Sequence, residues 1–316
     1  MSHLLVRKPG LLTTIQDRGR WGLQARGVPV AGPMDPCSHR LANALAGNDP
    51  GAATLEVTFA GPELEFEDER VIAVAGAEFE LSVDGRSVPA NAAFVVSSGS
   101  CLRFGALARG TRAYVAIAGG VDVAPTLGSR ATHLISAMGG LHGRPLKAGD
   151  RLPLGDPMRA RNAMSAPPLS PIFEMPDGHA SIRVLAGPQQ EYFTPEALEA
   201  LQSAPYILSS KSDRMGFRLD GPALAHARGA DIISDATPLG ALQVPASGQP
   251  ILLMADRQTT GGYPKIATVI SADISAAGQL GPGNTISFRV CSAREAIAAL
   301  IVQERALMAV EASAAP

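Results

Sequence analysis

Short runs of β-branched and other apolar residues recur along the whole chain, and turns that contain glycine or proline separate them. Several runs alternate between apolar and polar positions, as a strand does when it buries one face. They lie at residues 53–59, 71–83, 93–96, 112–117, 182–185, 251–254, 266–270 and 285–290. Closely spaced strands of this kind are typical of antiparallel barrels and sandwiches rather than of repeated βαβ units. The pattern therefore predicts a mainly β protein.

Three segments carry the signals of a helix start. The first helix is predicted to begin at Pro36, with Asp35 as its N-cap. A second is predicted to follow Thr194. A third is predicted after Ser292, which forms a capping box with Glu295. We expect this C-terminal helix to dock on the body of the protein through the apolar stripe of Ile297, Leu300 and Ile301.

The length of the chain indicates two domains. It has 316 residues, and a single hydrophobic core usually stops growing beyond ~250–300 residues. Residues 156–180 are rich in proline and show no hydrophobic periodicity, which is typical of a linker or an exposed excursion. We therefore predict an N-terminal β-barrel-like domain at 1–155, the linker or excursion at 156–180, and a C-terminal β-domain with the terminal helix at 181–316.

Composition and charge exclude several classes of partner. The 27 basic and 29 acidic residues leave a formal charge of -2, and only 4% of residues are aromatic. The chain therefore lacks the basic surface and the stacking platform that nucleic-acid binding needs. No run approaches the ~18 apolar residues of a membrane helix. Cys37, Cys101 and Cys291 lie far apart, which favours a reducing compartment. We expect a cytoplasmic protein without nucleic-acid or membrane partners.

The polar segment MADRQTTGGYPKIATVI at residues 254–270 is the first candidate site. So many polar groups in a chain with 18% charged residues favour binding, because loops carry the groups that a rigid scaffold presents. The glycine pair lets backbone N–H groups approach a ligand, as in an oxyanion hole. The alternative is an ordinary hairpin connection. The candidate residues are Asp256, Arg257, Thr259, Thr260, Gly261, Gly262, Tyr263 and Lys265.

Within this segment, Asp256 or Tyr263 would handle a proton, and Lys265 is one of only four lysines. We expect the loop to be exposed. Replacing Asp256 or Lys265 should therefore change stability by less than ~0.5 kcal/mol.

A second candidate is the segment TTIQDRGR at residues 13–20. Gln16, Asp17 and Arg20 offer donors and an acceptor to an amide or carboxylate ligand, since an arginine fork can hold a carboxylate by two bonds. The alternative is that Asp17 pairs with a neighbouring arginine and only stabilises a turn.

A third candidate is SSKSDRMGFR at residues 209–218, with Ser212, Asp213 and Arg214. Serine and aspartate line polar clefts, yet they also form turns through bonds to their own backbone. Gln243 lies in an apolar setting, where a buried amide needs partners in the protein or in a ligand.

Common catalytic motifs are absent from the sequence. It contains no GxxxxGK[ST] phosphate loop, no GxGxxG after a strand, no HExxH and no GxSxG. The six histidines are scattered, so we expect no metal site. A Met-Lys-Met carrier motif is also missing, and we expect no biotin on this chain.

Seven blocks in the range 9–290 carry a family resemblance: GLLTTIQDRGRWGL, GVPVAGPMD, AGGVDVAPTLGSRAT, GGLHGRPLKAGD, SDRMGFRL, GALQVPASGQPILLMADRQTTGGYPKIATVI and GQLGPGNTISF. In this order they resemble the KipA-like family, also called the biotin-dependent carboxyltransferase family. The resemblance implies a fold of two cyclophilin-like β-barrel domains. It also implies a complex of several chains, in which this protein would meet a KipI-like chain of type B and a third chain of type A.

Two activities follow from the resemblance, and both act on a small amide. One is the ATP-dependent opening of 5-oxoproline to glutamate, and the other is carboxyl transfer from carboxybiotin to a urea-like amide. A chain without a carrier motif or a biotin carboxylase module favours the first. ATP would then belong to the complex, at a site that the sequence does not locate, and biotin enters only in the second. A third interpretation is a non-enzymatic antagonist of a KipI-like kinase inhibitor.

The 5-oxoprolinase hypothesis assigns roles to the candidate residues. The catalytic group comprises Asp256, Arg257, Lys265, Tyr263 and Asp213. The substrate-binding group comprises Gln16, Asp17, Arg20, Ser212, Arg214, Gln243, Thr259, Thr260, Gly261 and Gly262. Within these groups, the glycine pair would donate to the lactam oxygen, an aspartate would orient water, and Arg257 or Arg214 would face a phosphate or the substrate carboxylate.

Overall fold

The computed structural model describes residues 2–157 and 172–313, and the chain divides into two compact units. Unit 1 comprises Met1–Arg20, Ala31–Met175 and Glu304–Pro316, and unit 2 comprises Trp21–Val30 and Pro176–Gln303. Each unit is thus assembled from separate stretches of sequence. The predicted linker at 156–180 falls largely outside the described residues, and its role as a linker stays a prediction.

Unit 1 is built on a nine-stranded sheet that packs against a helix. Its strands are β1 (His3–Lys8), β2 (Leu12–Gln16), β3 (Thr54–Thr58), β4 (Glu63–Phe66), β5 (Arg70–Val83), β6 (Arg86–Ser87), β7 (Ala93–Val96), β8 (Cys101–Ile117) and β9 (Arg151–Pro153), and helix α1 spans Pro36–Leu45. The order β2-β3-β8-β4-β1-β9 forms the main path, and β5 pairs with β6, β7 and β8.

The two faces of this sheet bury different partners, because successive side chains of a strand point to opposite sides. Along β8, Val115 and Ile117 enter the main core of unit 1. The intervening Tyr114 and Ala116 face the other side, where they pack with Leu41 of α1. The full burial of β8 in this stretch therefore results from a helix that covers one face.

Unit 2 is built on a closed barrel. Its strands are β10 (His179–Ala186), β11 (Tyr206–Leu208), β12 (Gly216–Asp220), β13 (Asp235–Ala236), β14 (Ala241–Gln243), β15 (Ile251–Leu253), β16 (Thr260–Gly261), β17 (Lys265–Val269) and β18 (Thr285–Val290). Its helices are α2 (Pro195–Ser203) and α3 (Ile274–Gly278), and α4 (Ala293–Ser313) follows β18.

Seven of these strands close the barrel in the order β10-β17-β14-β15-β12-β11-β18. The first and last strands, β10 and β18, are neighbours and run parallel, whereas the other pairings of the barrel are antiparallel. Strands β13 and β16 form a separate two-stranded ladder. Closure leaves the barrel strands without free edges.

The mainly β prediction is confirmed, with a few short helices and a C-terminal helix. The closed barrel fits the cyclophilin-like expectation, while the sheet of unit 1 is a half-barrel. In the described part of the chain, no helix is long and apolar enough to cross a membrane.

The predicted helix starts are confirmed by their caps. The Asp35 carboxylate accepts a hydrogen bond from Ser38 N at 2.9 Å, and the Thr194 hydroxyl accepts from Ala197 N at 3.2 Å. At the third start, Ser292 N donates to the Glu295 carboxylate and Glu295 N donates to the Ser292 hydroxyl, as the capping box requires.

The predicted docking face of the C-terminal helix is only partly right, since Leu300 is half-buried but its two neighbours in the stripe are not. Ile297 and Ile301 are exposed, and Leu307 is the buried residue of α4. Ala296 and Ala299 pack against a small apolar cluster of unit 2. Small alanines let the helix approach closely, so the inner face is rotated away from the bulky stripe that the sequence suggested.

His39 on α1 is a buried histidine that the fold keeps neutral. Its ring lies edge-on to Tyr114, with centroids 5.9 Å apart. Burial lowers the pKa of His39 to about 4, against opposing contributions that include the charge of Asp17 and a backbone bond to Gln16. Protonation of this ring therefore favours the unfolded chain.

We predict that His39 makes unit 1 less stable in mild acid. Because the pKa of His39 is lower in the folded state, protonation of the ring lowers the free energy of unfolding. The loss begins as the pH falls below 6.5 and reaches about 3 kcal/mol in total near pH 4. Urea unfolding should show most of this loss between pH 7.5 and pH 5 in the natural chain. His39→Gln should remove that slope, whereas the exposed His179→Gln should retain it. An equal slope in both variants would assign the acid sensitivity to other groups.

Candidate functional site

The polar loop of unit 2 is tied to the start of β12 by a buried ion pair. Arg214 Nε and Nη2 donate to the two carboxylate oxygens of Asp256, each at 3.0 Å. The backbone adds a bond from Asp256 N to Arg214 O at 2.8 Å. The side chains of Arg214 and Asp256 are only 6% and 2% exposed. The structure thus joins two of the sequence clusters, and this pair fixes where the loop leaves β15.

Arg257 is buried next to this pair but has no acidic partner among the described residues. Its Nε donates to Thr237 O at 2.9 Å, and its Nη1 lies 3.4 Å from Met254 O. Burial alone lowers the pKa of Arg257 to about 10, so the group is still a cation at neutral pH. A buried cation that bonds only to carbonyl groups is unfavourable unless an anion reaches it. Arg257 is therefore the strongest candidate for an anion-binding group.

Gln243 satisfies its buried amide within the loop. Its oxygen accepts from Gln258 Nε2 at 3.1 Å, and its nitrogen lies 3.4 Å from the carbonyl oxygen of Tyr263. A Cβ added to Gly261 would come within 2.5 Å of that nitrogen. A side chain at position 261 would therefore displace the Gln243 amide from the loop backbone. The phenol ring of Tyr263 is 41% exposed and can meet a ligand.

Lys265 lies at the start of β17 with its side chain 1% exposed. Its ammonium group donates to the Asp235 carboxylate at 2.8 Å. Thr259 and Thr260 belong to the backbone ladder beside it: Thr259 O accepts from Thr237 N, and Thr260 pairs with Ala236. The expectation of an exposed loop is therefore wrong for Asp256, Arg257 and Lys265, because an ion pair or carbonyl groups let these charges enter the protein.

Ser212 and Asp213 organise the turn before β12. The Asp213 carboxylate accepts from Met215 N at 2.8 Å and from Gly216 N at 3.2 Å. The Ser212 hydroxyl accepts from Arg218 N at 3.0 Å. These are the local bonds that turn-forming residues make. The geometry supports a structural role here, and substrate contact by either residue stays a prediction.

In unit 1, three predicted site residues bind the loop at 126–132. The Asp17 carboxylate accepts from the Ser129 hydroxyl and from Arg130 N. Arg20 is 1% exposed and donates to two carbonyl groups of this loop. Gln16 Nε2 donates to Thr132 O at 3.1 Å, while its Oε1 is buried without a partner in the described part of the chain. These contacts hold the loop against β2, and a role in substrate binding stays a prediction.

The predicted residues therefore form two groups. Gln16, Asp17 and Arg20 belong to unit 1, and the other candidates belong to unit 2. Within unit 2, the structure brings Arg214 and Gln243 together with the polar loop at residues 254–270. Sequence reasoning missed Asp235, Thr237 and Gln258 as partners of this group. A lysine at the start of an apolar run implies a counter-ion, but nothing in the sequence says that it comes from thirty residues upstream.

A cavity of about 540 Å³ lies in unit 1, and part of its lining is Arg130, whose backbone N–H donates to Asp17. Among its charged lining residues, Arg70 pairs with Asp68 and Arg130 pairs with Asp122, and Asp156 also lines the cavity. Over residues 2–157 and 172–313, no group of three acidic, histidine or cysteine side chains is arranged to hold a metal ion.

Comparisons with known proteins point to one family. Residues 26–290 match the family model "Carboxyltransferase domain, subdomain A and B". The chain is 39% identical to the C subunit of 5-oxoprolinase from Escherichia coli over 96% of both chains. It is 37% identical to the protein of the same name from Haemophilus influenzae, over 90% of this chain and 89% of that one.

The fold is also similar to a solved structure. The K. lactis urea amidolyase matches with a TM-score of 0.90 and 33% identity over 98% of this chain. This chain covers only 20% of that protein, so the similarity concerns one part of a much longer enzyme.

We predict that breaking the Arg214–Asp256 pair from one side destabilises unit 2. Asp256→Ala leaves a buried guanidinium without its carboxylate, a change that costs roughly 3–5 kcal/mol. The double variant Arg214→Met with Asp256→Leu removes both charges and should regain most of the loss. Urea unfolding of the single and double variants measures this coupling. A loss below ~0.5 kcal/mol for Asp256→Ala would show that the pair contributes little.

Proposed function

Because this chain belongs to the carboxyltransferase domain family of subdomains A and B, we propose that it is the C subunit of an ATP-dependent 5-oxoprolinase complex. The complex would open the lactam ring of 5-oxoproline to give glutamate. The similarity to the bacterial 5-oxoprolinase proteins supports this choice, since it extends over almost the whole of both chains. The match to urea amidolyase is confined to a fifth of that enzyme.

The buried guanidinium of Arg257 is the geometric observation that carries the proposal. The substrate is a small amide with a carboxylate, so its recognition requires a cation and hydrogen-bonding groups close together. Arg257 supplies a cation without an acidic partner among the described residues. The amide of Gln258 and the backbone of Gly261 lie on the same loop, and the amide of Gln243 on β14 packs against both. This combination suits an anionic amide better than a purely apolar ligand.

In the proposed reaction, water adds to the lactam carbonyl carbon and the ring C–N bond breaks. The new carboxylate and the released amine are the two ends of glutamate. Negative charge grows on the carbonyl oxygen as water adds, and fixed N–H donors stabilise it. We assign this role to the backbone of Gly261 and Gly262. Tyr263, with its exposed phenol, is the candidate for proton transfer to the ring nitrogen.

Asp256 does not have the role in proton transfer that the sequence suggested. Both of its oxygens accept hydrogen bonds from Arg214, so it is poorly placed to take a proton from water as well. We propose that Asp256 positions Arg257 and the rest of the loop. Asp213, which caps a turn through its carboxylate, would likewise act as a positioning residue.

ATP supplies the activation of the lactam oxygen when it is bound to the complex. The chain lacks a phosphate loop, and we place ATP on the partner chains. The partners proposed are a KipI-like chain of type B and a third chain of type A. Without them, this protein would be inactive.

Carboxyl transfer is the second candidate, favoured by the family and by the TM-score of 0.90 to urea amidolyase. The same anion-binding loop would then hold the carboxyl group delivered by carboxybiotin, with biotin carried by another chain. A non-enzymatic role as antagonist of a KipI-like inhibitor is the third, and no contact in the structure favours it.

Reconstitution should separate these candidates. We expect this chain, mixed with its KipI-like and third partner chains, to release glutamate only when both ATP and 5-oxoproline are present. Chromatographic detection of glutamate measures it, and omission of this chain is the control. Amide carboxylation that depends on biotin carboxylase and a biotinylated carrier, with no glutamate release, would establish the second candidate. Relief of kinase inhibition alone would establish the third.

Arg257→Met should abolish glutamate release by the reconstituted complex without unfolding the chain. The reason is that Arg257 has no acidic partner to leave behind, so replacing a buried cation by an apolar side chain is neutral or stabilising. Thermal unfolding and steady-state turnover measure the two effects. Arg218→Met, which removes an exposed arginine of β12, is the matched control and should retain turnover. Full turnover by Arg257→Met would remove this residue from the site.

A further inference from the structure

An exposed arm, residues 229–236, lies against the polar loop within unit 2. Its strand β13 pairs with β16, and Ile232 N donates to Gly262 O at 2.8 Å. Ile233 is 95% exposed and therefore adds almost no buried apolar area. Segments held by few apolar contacts open at low free energy. The arm thus lies beside the glycine pair, and polar contacts hold it there.

The arm supplies the counter-ion of a buried lysine. Lys265 is held in the barrel with its side chain 1% exposed, whereas the side chain of Asp235 on the arm is 50% exposed. Asp235 is the acceptor for the Lys265 ammonium group, and the structure records no second acceptor among the residues that it describes. A rigid buried cation is therefore neutralised by a carboxylate on a weakly held segment.

The Asp235 carboxylate also has a second donor. Gln189 Nε2 lies 3.4 Å from the same oxygen that accepts from Lys265. Gln189 Oε1 in turn accepts from Lys265 N at 3.2 Å, which orients the amide. A lysine and an amide nitrogen directed at one oxygen form a small carboxylate-binding site, and one of the protein's own side chains fills it.

We propose that Lys265 and Gln189 form the site for the carboxylate of the substrate, and that Asp235 occupies this site as an internal stand-in until the ligand displaces the arm. This inference rests on the proposed function, in which the substrate is a small amide with a carboxylate. It adds a recognition residue, Gln189, and a competing group, Asp235. Lys265 thereby takes over the carboxylate from Arg257, and Arg257 joins the N–H groups of Gly261 and Gly262 at the oxygen on which charge develops.

The ion pair with Lys265 stabilises the charged carboxylate of Asp235 in this site. The hydrogen bond from Lys265 is the largest of the effects that hold the pKa of Asp235 below its ordinary value. Asp235 is therefore an anion at neutral pH and competes with a ligand of the same charge. Displacement of the arm removes Asp235, uncovers Gly262 and frees the ammonium group in one movement. The ligand's apparent affinity then depends on the fraction of molecules whose arm is open.

Removing the stand-in should tighten carboxylate binding. We expect Asp235→Asn to bind L-5-oxoproline more tightly than the natural chain, by about tenfold if the arm is closed in about nine molecules of ten. Titration calorimetry on the full-length chain measures this affinity. The carboxamide of 5-oxoproline lacks the carboxylate, and its binding should not change. Asp231→Asn removes a charge from the same arm without touching Lys265 and is the matched control.

Removing the cation should have the opposite effect. Lys265→Met should lose 5-oxoproline binding, Lys265→Arg should restore part of it, and Lys211→Met, at an exposed lysine, should leave it unchanged. If Lys265→Met fails to fold, Gln189→Leu tests the same site from its exposed side and should weaken 5-oxoproline but not the carboxamide. Equal affinity of Asp235→Asn and the natural chain for 5-oxoproline would overturn the proposal.

Movement of the arm can be followed separately by trypsin. Arg228 lies just before the arm, and cleavage after it requires this segment to leave the surface. We expect L-5-oxoproline to accelerate this cleavage in the natural chain, and Asp235→Asn to be cleaved faster without ligand. Protection of Arg228 by 5-oxoproline would contradict displacement of the arm.

The outcomes distinguish this inference from the proposed activity. If the reconstituted complex releases no glutamate but Asp235→Asn still binds 5-oxoproline more tightly, the activity is rejected and the carboxylate site stands. If the complex turns over while Asp235→Asn and Lys265→Met bind 5-oxoproline as the natural chain does, the activity stands and the stand-in is rejected.

Discussion

The placement of charge inside the barrel unit depends on the ion pair of Arg214 and Asp256. Burial of either charge alone would be strongly unfavourable. In the pair, two N–H donors of Arg214 satisfy both carboxylate oxygens of Asp256. Because one partner precedes β12 and the other follows β15, the pair sets the register of the polar loop. Arg257 follows directly in the chain, so its burial is a consequence of this anchor.

The architecture could be predicted from the sequence because it depends on local, periodic signals. The run at 93–96 and the run at 285–290 match β7 and β18 residue for residue, and the three helix caps follow from single side chains. The predicted inner face of α4 was only partly right, because Ala296 and Ala299, rather than the larger isoleucines, pack against the body. Periodicity identifies an amphipathic stripe but does not say which side another element covers.

The candidate site was predicted in part, for a physical reason. Polar density marked the loop as a place where charges gather, a separate polar segment indicated Arg214, and an amide in an apolar setting indicated Gln243. It could not pair Asp256 with Arg214 or Lys265 with Asp235, because these contacts join residues that only the folded barrel brings together. The buried state of the charges was missed for the same reason, since burial depends on the partner and not on the residue type.

The parallel pairing of β10 with β18 has a consequence for folding during protein synthesis. The paired residues of these two strands are about a hundred positions apart in the sequence. His179 and Thr285, for example, form a side-chain hydrogen bond across the pair. The barrel therefore cannot close until β18, which ends at Val290, has emerged from the ribosome. Contacts of such large sequence separation form slowly, and earlier strands expose a bare edge throughout that interval. Newly made chains should accordingly depend on chaperones more than the finished protein's stability suggests.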